Sequence, residues 1–73
     1  MAKISNSEKQ EAQEMFVDVW NYYKKYYQPE FNDQYWDSLI ADGKIIIDRY
    51  KNQMVTDMIM AIQEELNRRS NGI

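Results

Sequence analysis

The residues in this chain whose types could do chemistry are carboxylates at helical spacing and lysines set among tyrosines. Glu14 and Asp18 stand four residues apart, as do Asp33 and Asp37. On a helix each pair faces one way. Two carboxylates in unlike environments across a cleft could act as acid and base in glycoside hydrolysis. With phosphate oxygens, the same pairs could hold magnesium. Neighbouring carboxylates on a helix surface, however, ordinarily just solvate it. Asp33, Asp37 and Asp42 also miss the ligand spacing of an EF-hand. The chain has no histidine and no cysteine. That removes the commonest base at neutral pH, the commonest metal ligand, the thiolate nucleophile and any disulfide. No phosphate-binding glycine loop, zinc pattern or glycosylation sequon occurs. The expectation is a protein without catalytic residues, metal or cofactor.

The string Tyr22-Tyr23-Lys24-Lys25-Tyr26-Tyr27 sets basic residues between rings. Single-stranded nucleic acid binders use such mixtures, stacking bases on rings and pairing phosphates with cations. On a helix, though, the lysines point away from the tyrosine stripe. The net charge is −3 and the pI about 4.8, whereas polyanion binders are usually basic. A nucleic-acid-associated accessory role is therefore the alternative reading, and a solvated helix face the plainer one.

The string belongs to a larger cluster. Of ten aromatic residues, eight fall between Trp20 and Trp36: Trp20, Tyr22, Tyr23, Tyr26, Tyr27, Phe31, Tyr35 and Trp36. They must build most of a small core or form a surface for a partner. Tyrosine prefers its hydroxyl hydrogen-bonded or in water, and four tyrosines in six residues crowd a dry core. Helical phase places Tyr23, Tyr26 and Trp36 inside. Trp20, Tyr22 and Tyr27 fall at the stripe edges and are candidate partner-binding residues, since Tyr and Trp are enriched at binding hot spots. Val17, Ile45 and Met60 are added because each is an apolar residue on the otherwise polar face of its helix. Together they suggest a second apolar surface suited to self-association.

The elements that must position these residues follow from breakers and period. Two glycines and one proline leave few turns in 73 residues. Ser5 and Glu8 match a capping box. Ala12, Met15, Phe16, Val19, Tyr22, Tyr23 and Tyr26 then recur at three- and four-residue steps, the period of an amphipathic helix. Glu14, Asp18, Asn21, Lys24 and Lys25 lie on its polar side. Pro29 ends this helix. Asn32 or Asp33 caps the next, with Phe31 and Trp36 at hydrophobic-staple spacing. In the second helix Trp36, Ile40, Gly43, Ile47, Tyr50 and Met54 are expected to face the core, with Leu39 and Ile46 flanking. Gly43 implies close approach of a neighbouring helix, with a ring from the first helix over it. After Tyr50 the stripe moves to Val55, Met58, Ile59, Ile62 and Leu66, rotated by roughly 100°. A break near Lys51-Asn52-Gln53 explains that shift; one bent helix from Asp33 to Arg69 is the alternative. Glu64/Arg68 and Glu65/Arg69 are spaced for ion pairs. Ser70-Asn71-Gly72 is a stop signal, and no internal repeat stands out.

The resulting expectation is an all-α, single-domain three-helix bundle over 1–73, with helices at about 6–27, 33–51 and 53–69. The opening Met1 to Ser7 lacks an apolar signal-peptide segment, and the longest apolar run is Ile45-Ile46-Ile47. A cytoplasmic protein is expected. The stretches Tyr35-Trp36-Asp37-Ser38-Leu39-Ile40, Asp48-Arg49-Tyr50 and Ala61-Ile62-Gln63-Glu64-Glu65-Leu66 resemble small helical proteins of bacterial phage and mobile-element regions. That resemblance covers the second half of the chain and implies no activity or site residues. A core this small gains from a second chain. The functional expectation is action by protein–protein contact, with a homo-oligomer or another protein as partner.

Overall fold

Two asparagines and a lysine divide the chain. The computed structural model describes residues 6–30 and 32–71, which form α1 (Asn6–Lys25), α2 (Asp33–Tyr50) and α3 (Gln53–Asn71). Asn32 is extended at φ −146°, ψ 152°, and its Oδ1 accepts the Tyr35 amide at 2.7 Å. At the other end of α2, Lys51 turns left-handed at φ 50°, ψ 45° and donates its amide to the Ile47 carbonyl at 2.8 Å. Asn52 then caps α3, its Oδ1 accepting the Val55 amide at 2.8 Å. The expected break is therefore real, and the single bent helix is not formed. Lys51 makes the reversal and Asn52 opens the new helix.

A left-handed lysine carries a Cβ penalty that glycine lacks. Lys51→Gly should therefore stabilise the protein by about 1 kcal/mol, while Asn52→Ala should lose about 1 kcal/mol by orphaning the Val55 amide. Urea melts of the two variants, shifting in opposite directions, check this.

The first helix ends earlier than its spacing predicts, at Lys25 and not Tyr27. Pro29 forces the preceding backbone out of the helix, and the last turn tightens so that Tyr27 donates to the Lys24 carbonyl at 3.4 Å. The Tyr27 carbonyl, left without a helical donor, accepts from Arg69 Nη1 at 2.8 Å. α3 runs two residues further than expected. Arg69 pairs with Glu65 as its spacing suggests, at 3.7 Å, but Arg68 also turns to Glu65, at 3.0 Å. The capping box rests on Ser5, the staple on Phe31 and the stop on Gly72. All three lie outside the described residues.

Every helix touches the other two. Lys25 meets Asp42 and Asp18 meets Arg49, so α1 and α2 run antiparallel. Met15 lies by Asn52 and Tyr27 by Arg69, so α1 and α3 run the same way. The core gathers Met15, Val19, Tyr22 and Tyr26 from α1 and the residue after it, Tyr35, Leu39 and Ile46 from α2, and Val55, Ile59 and Leu66 from α3.

Helix α2 is rotated from its expected phase. Its buried line is Tyr35, Leu39, Gly43 and Ile46, whereas Ile40, expected inside, is more than half exposed; Met54, expected on the same stripe, falls beyond the break in α3 and is exposed. Trp36, Ile47 and Tyr50 are partly buried against the core. Both lines of α2 are apolar, so periodicity does not separate them. The observed line is the one that gives polar atoms partners: the Tyr35 hydroxyl donates to the Tyr26 carbonyl at 2.6 Å. Phe16 and Ala12, expected in the α1 stripe, are also exposed.

Candidate interaction surface

The aromatic cluster separates into two ladders. One runs inward, from Tyr22 to Tyr26 at 5.4 Å between ring centroids, to Tyr35 at 5.4 Å, to Trp36 at 4.8 Å. The other runs along the rim of the core, from Trp20 to the partly buried Tyr23 at 6.5 Å and on to Tyr27 at 5.5 Å, both edge to face. The Arg69 guanidinium lies over Tyr23 at 5.3 Å and over Tyr27 at 4.6 Å, clamping the outer ladder to α3. Lys24 lies 5.9 Å from the Trp20 ring.

Tyr22 must be moved from the candidate surface to the core, because it is 4% exposed. The objection that tyrosines crowd a dry core fails for a specific reason: their hydroxyls find partners. Tyr22 donates to the Leu39 carbonyl at 2.7 Å and accepts from Gln63 Nε2 at 3.2 Å. Tyr26 donates to Asp42, and Tyr50 to Asp18. Among the described residues, no buried side-chain nitrogen or oxygen lacks a partner. Burial pushes the Tyr22 phenol up to about 12. It also raises Tyr26, with the Asp42 bond adding to the effect, and Tyr35. Tyr50 is raised first by its bond to Asp18.

Trp20 and Tyr27 are 57% and 53% exposed. With Lys24, Lys25, Gln28 and Glu30 they line an open hollow of about 510 Å³. Phe16 and Val17 are about half exposed on the same helix. At 100° per residue, Phe16, Val17 and Trp20 fall on one flank of it. Val17 also borders a hollow with Gln10, Gln13, Glu14 and Asp18. Ile45 lines a different cleft, between α1 and α2, and Met60 is exposed on α3. The structure thus brings Trp20 and Tyr27 to one hollow, leaves Val17 at another further back on α1, and leaves Ile45 and Met60 on other helices.

Asp18, expected to be plain solvating charge, and Asp42 turn out to hold helices together. Asp18 Oδ2 accepts from Arg49 at 2.9 Å as well as from the Tyr50 hydroxyl. Asp42 Oδ2 accepts from Lys25 at 2.8 Å as well as from the Tyr26 hydroxyl. Those bonds, from Lys25 first and Tyr26 second, hold the Asp42 carboxyl below its ordinary value. The sequence carries a signal for this. An aspartate followed seven residues on by a cation and eight on by a tyrosine occurs twice, as Asp18/Lys25/Tyr26 and Asp42/Arg49/Tyr50. Each copy's aspartate receives the other copy's cation and tyrosine.

This arrangement bears on chemistry. Asp18 is engaged across helices and is not half of a matched pair with Glu14. Among the described residues, no group of three or more acidic side chains could hold a metal ion, and no helix is long and apolar enough to cross a membrane. In comparisons with known proteins, no family model, no curated protein and no solved structure matches this chain.

Proposed function

We propose that this protein is a small non-catalytic helical module of the cytoplasm that acts by protein–protein contact and self-associates. The observation that carries contact with another protein is the outer ladder. Two large rings, Trp20 and Tyr27, stand more than half exposed while their neighbours and Arg69 hold them in place. Rings fixed in advance lose little freedom on binding and are the commonest anchors of interfaces. Ile45 and Met60 add exposed apolar side chains on the other two helices, which supports more than one contact surface.

The nucleic-acid reading has less support. Of the string's four rings, Tyr22 and Tyr26 lie in the core, and Lys25 is tied to Asp42. Stacking platforms need exposed faces with cations beside them, and here half of each is occupied.

Sedimentation of the purified chain is expected to give a mass above one protomer at high micromolar concentration, or a second protein is expected to co-purify. Trp20→Ala with Tyr27→Ala should weaken capture of that protein by about tenfold or more with helical content unchanged. A strict monomer with nothing bound would overturn the reading.

A further inference from the structure

The cleft between α1 and α2 has a feature that the contact reading leaves unused. It measures about 260 Å³ and is lined by Asp18, Asn21 and Lys25 from one helix and by Asp42, Ile45 and Arg49 from the other, with Tyr22 and Ile46 between. Its ion pairs have opposite polarity. In the Lys25–Asp42 rung α1 carries the cation; in the Asp18–Arg49 rung α2 carries it. Seven residues separate the rungs on each helix, about 10 Å at 1.5 Å per residue. The four charges therefore form a checkerboard. At its middle stands Ile45, 56% exposed, opposite Asn21 on the other helix.

We propose that a second copy of this chain docks face to face on this cleft, related by a two-fold axis that crosses the helices and passes beside Ile45. The proposal rests on the self-association in the reading above and assigns it to a surface other than the aromatic ladder. A two-fold contact requires a surface complementary to itself, and a checkerboard meets that condition. The rotation sets Lys25 against the partner's Asp18 and Arg49 against the partner's Asp42, so all four corners oppose unlike charges. It also sets Ile45 on the partner's Ile45 and Asn21 on the partner's Asn21, where the two amides can exchange hydrogen bonds. A two-fold axis along the helices satisfies the charges equally but lays Ile45 on an amide, which favours the crossing axis. The cations can serve both chains. Their side chains remain 65% and 57% exposed, and each intrachain bond uses only the Oδ2 atom of its aspartate. Oδ1 is the atom each partner cation would take.

Sedimentation equilibrium on the full chain tests this with four variants, circular dichroism confirming the fold of each. Wild type is expected at the mass of two chains at high micromolar concentration, loosening with added salt. Ile45→Glu should sediment as one chain. Lys25→Asp with Asp42→Lys keeps an intrachain pair but reverses one rung, setting like charges together across the axis. It should raise the dissociation constant about tenfold or more. Reversing the other rung as well, with Asp18→Arg and Arg49→Asp, restores the checkerboard and should restore the dimer. Trp20→Ala should leave the mass unchanged.

A dimer indifferent to Ile45→Glu and to the single reversal overturns the proposal. So does one dissolved by Trp20→Ala, which would move self-association to the aromatic ladder and leave the contact reading intact. A wild-type monomer also overturns it. In that case the contact reading survives only if a different protein binds at Trp20 and Tyr27.

Discussion

Gly43→Ala should destabilise this protein by about 1–3 kcal/mol, against the gain of up to about 1 kcal/mol that alanine ordinarily brings inside a helix. A Cβ at position 43 would lie 2.8 Å from Gln63 Nε2, 2.9 Å from Ile59 Cγ2 and 2.9 Å from the Tyr22 hydroxyl oxygen. Gln63 can swing aside at small cost. Ile59 cannot, because its Cγ2 sits directly on a stiff, branched Cβ and its side chain is fully buried. Nor can Tyr22, whose hydroxyl is fixed on the Leu39 carbonyl. The missing side chain is what lets Tyr22 reach the backbone of α2, and the gain there outweighs glycine's low helix propensity.

Ile59→Ala alone should cost about 2–5 kcal/mol as a core truncation. The double variant should cost less than the sum, since alanine at 59 removes the atom that clashes. Denaturant midpoints at unchanged m-value measure all three. Strict additivity would mean that the Ile59 contact is not what excludes a side chain at Gly43.

Alkaline pH should unfold the protein well before backbone chemistry intervenes. The folded Tyr22 phenol titrates near 12 against an ordinary 10.0, so the folded state holds its proton more tightly than the unfolded chain does. The stabilisation this represents is complete below pH 10 and disappears as pH rises towards 12. Two units correspond to about 3 kcal/mol. Tyr26, Tyr35 and Tyr50 shift in the same direction and steepen the fall. Tyrosinate absorbance and helical circular dichroism should then change together in one cooperative step. Tyr22→Phe should flatten the alkaline limb while costing about 1 kcal/mol at neutral pH, because the Leu39 carbonyl keeps its helical donor. Tyrosine ionisation complete before any helix is lost would show that these hydroxyls are not held as described.

Much of the architecture was legible because it is set locally. The Asn32 and Asn52 caps each reach an amide three residues away, Pro29 acts on its neighbour, and the change of stripe after Tyr50 marks the break. The phase of α2 was not legible, since Tyr35/Leu39/Ile46 and Trp36/Ile40/Ile47 make equally apolar lines. The surface was half legible. Trp20 and Tyr27 are exposed as their edge positions suggest, whereas Tyr22 occupies a similar edge and is buried. The charge rungs could have been read from the two spaced Asp, cation and Tyr sets, had they been compared across helices.

By itself the sequence determined the three helices, the caps at Asn32 and Asn52 and the Gly43 notch, because capping, period and proline act within a few residues. Only the tertiary structure decided which of the seven described residues of the aromatic cluster became core. The hydroxyl of Tyr35 finds its acceptor 9 residues away in sequence, and that of Tyr22 finds its partners at 17 and 41. Whether a phenol can be buried depends on such distant atoms. Folding supplied them to Tyr22, Tyr26 and Tyr35 and left Trp20 and Tyr27 facing outward.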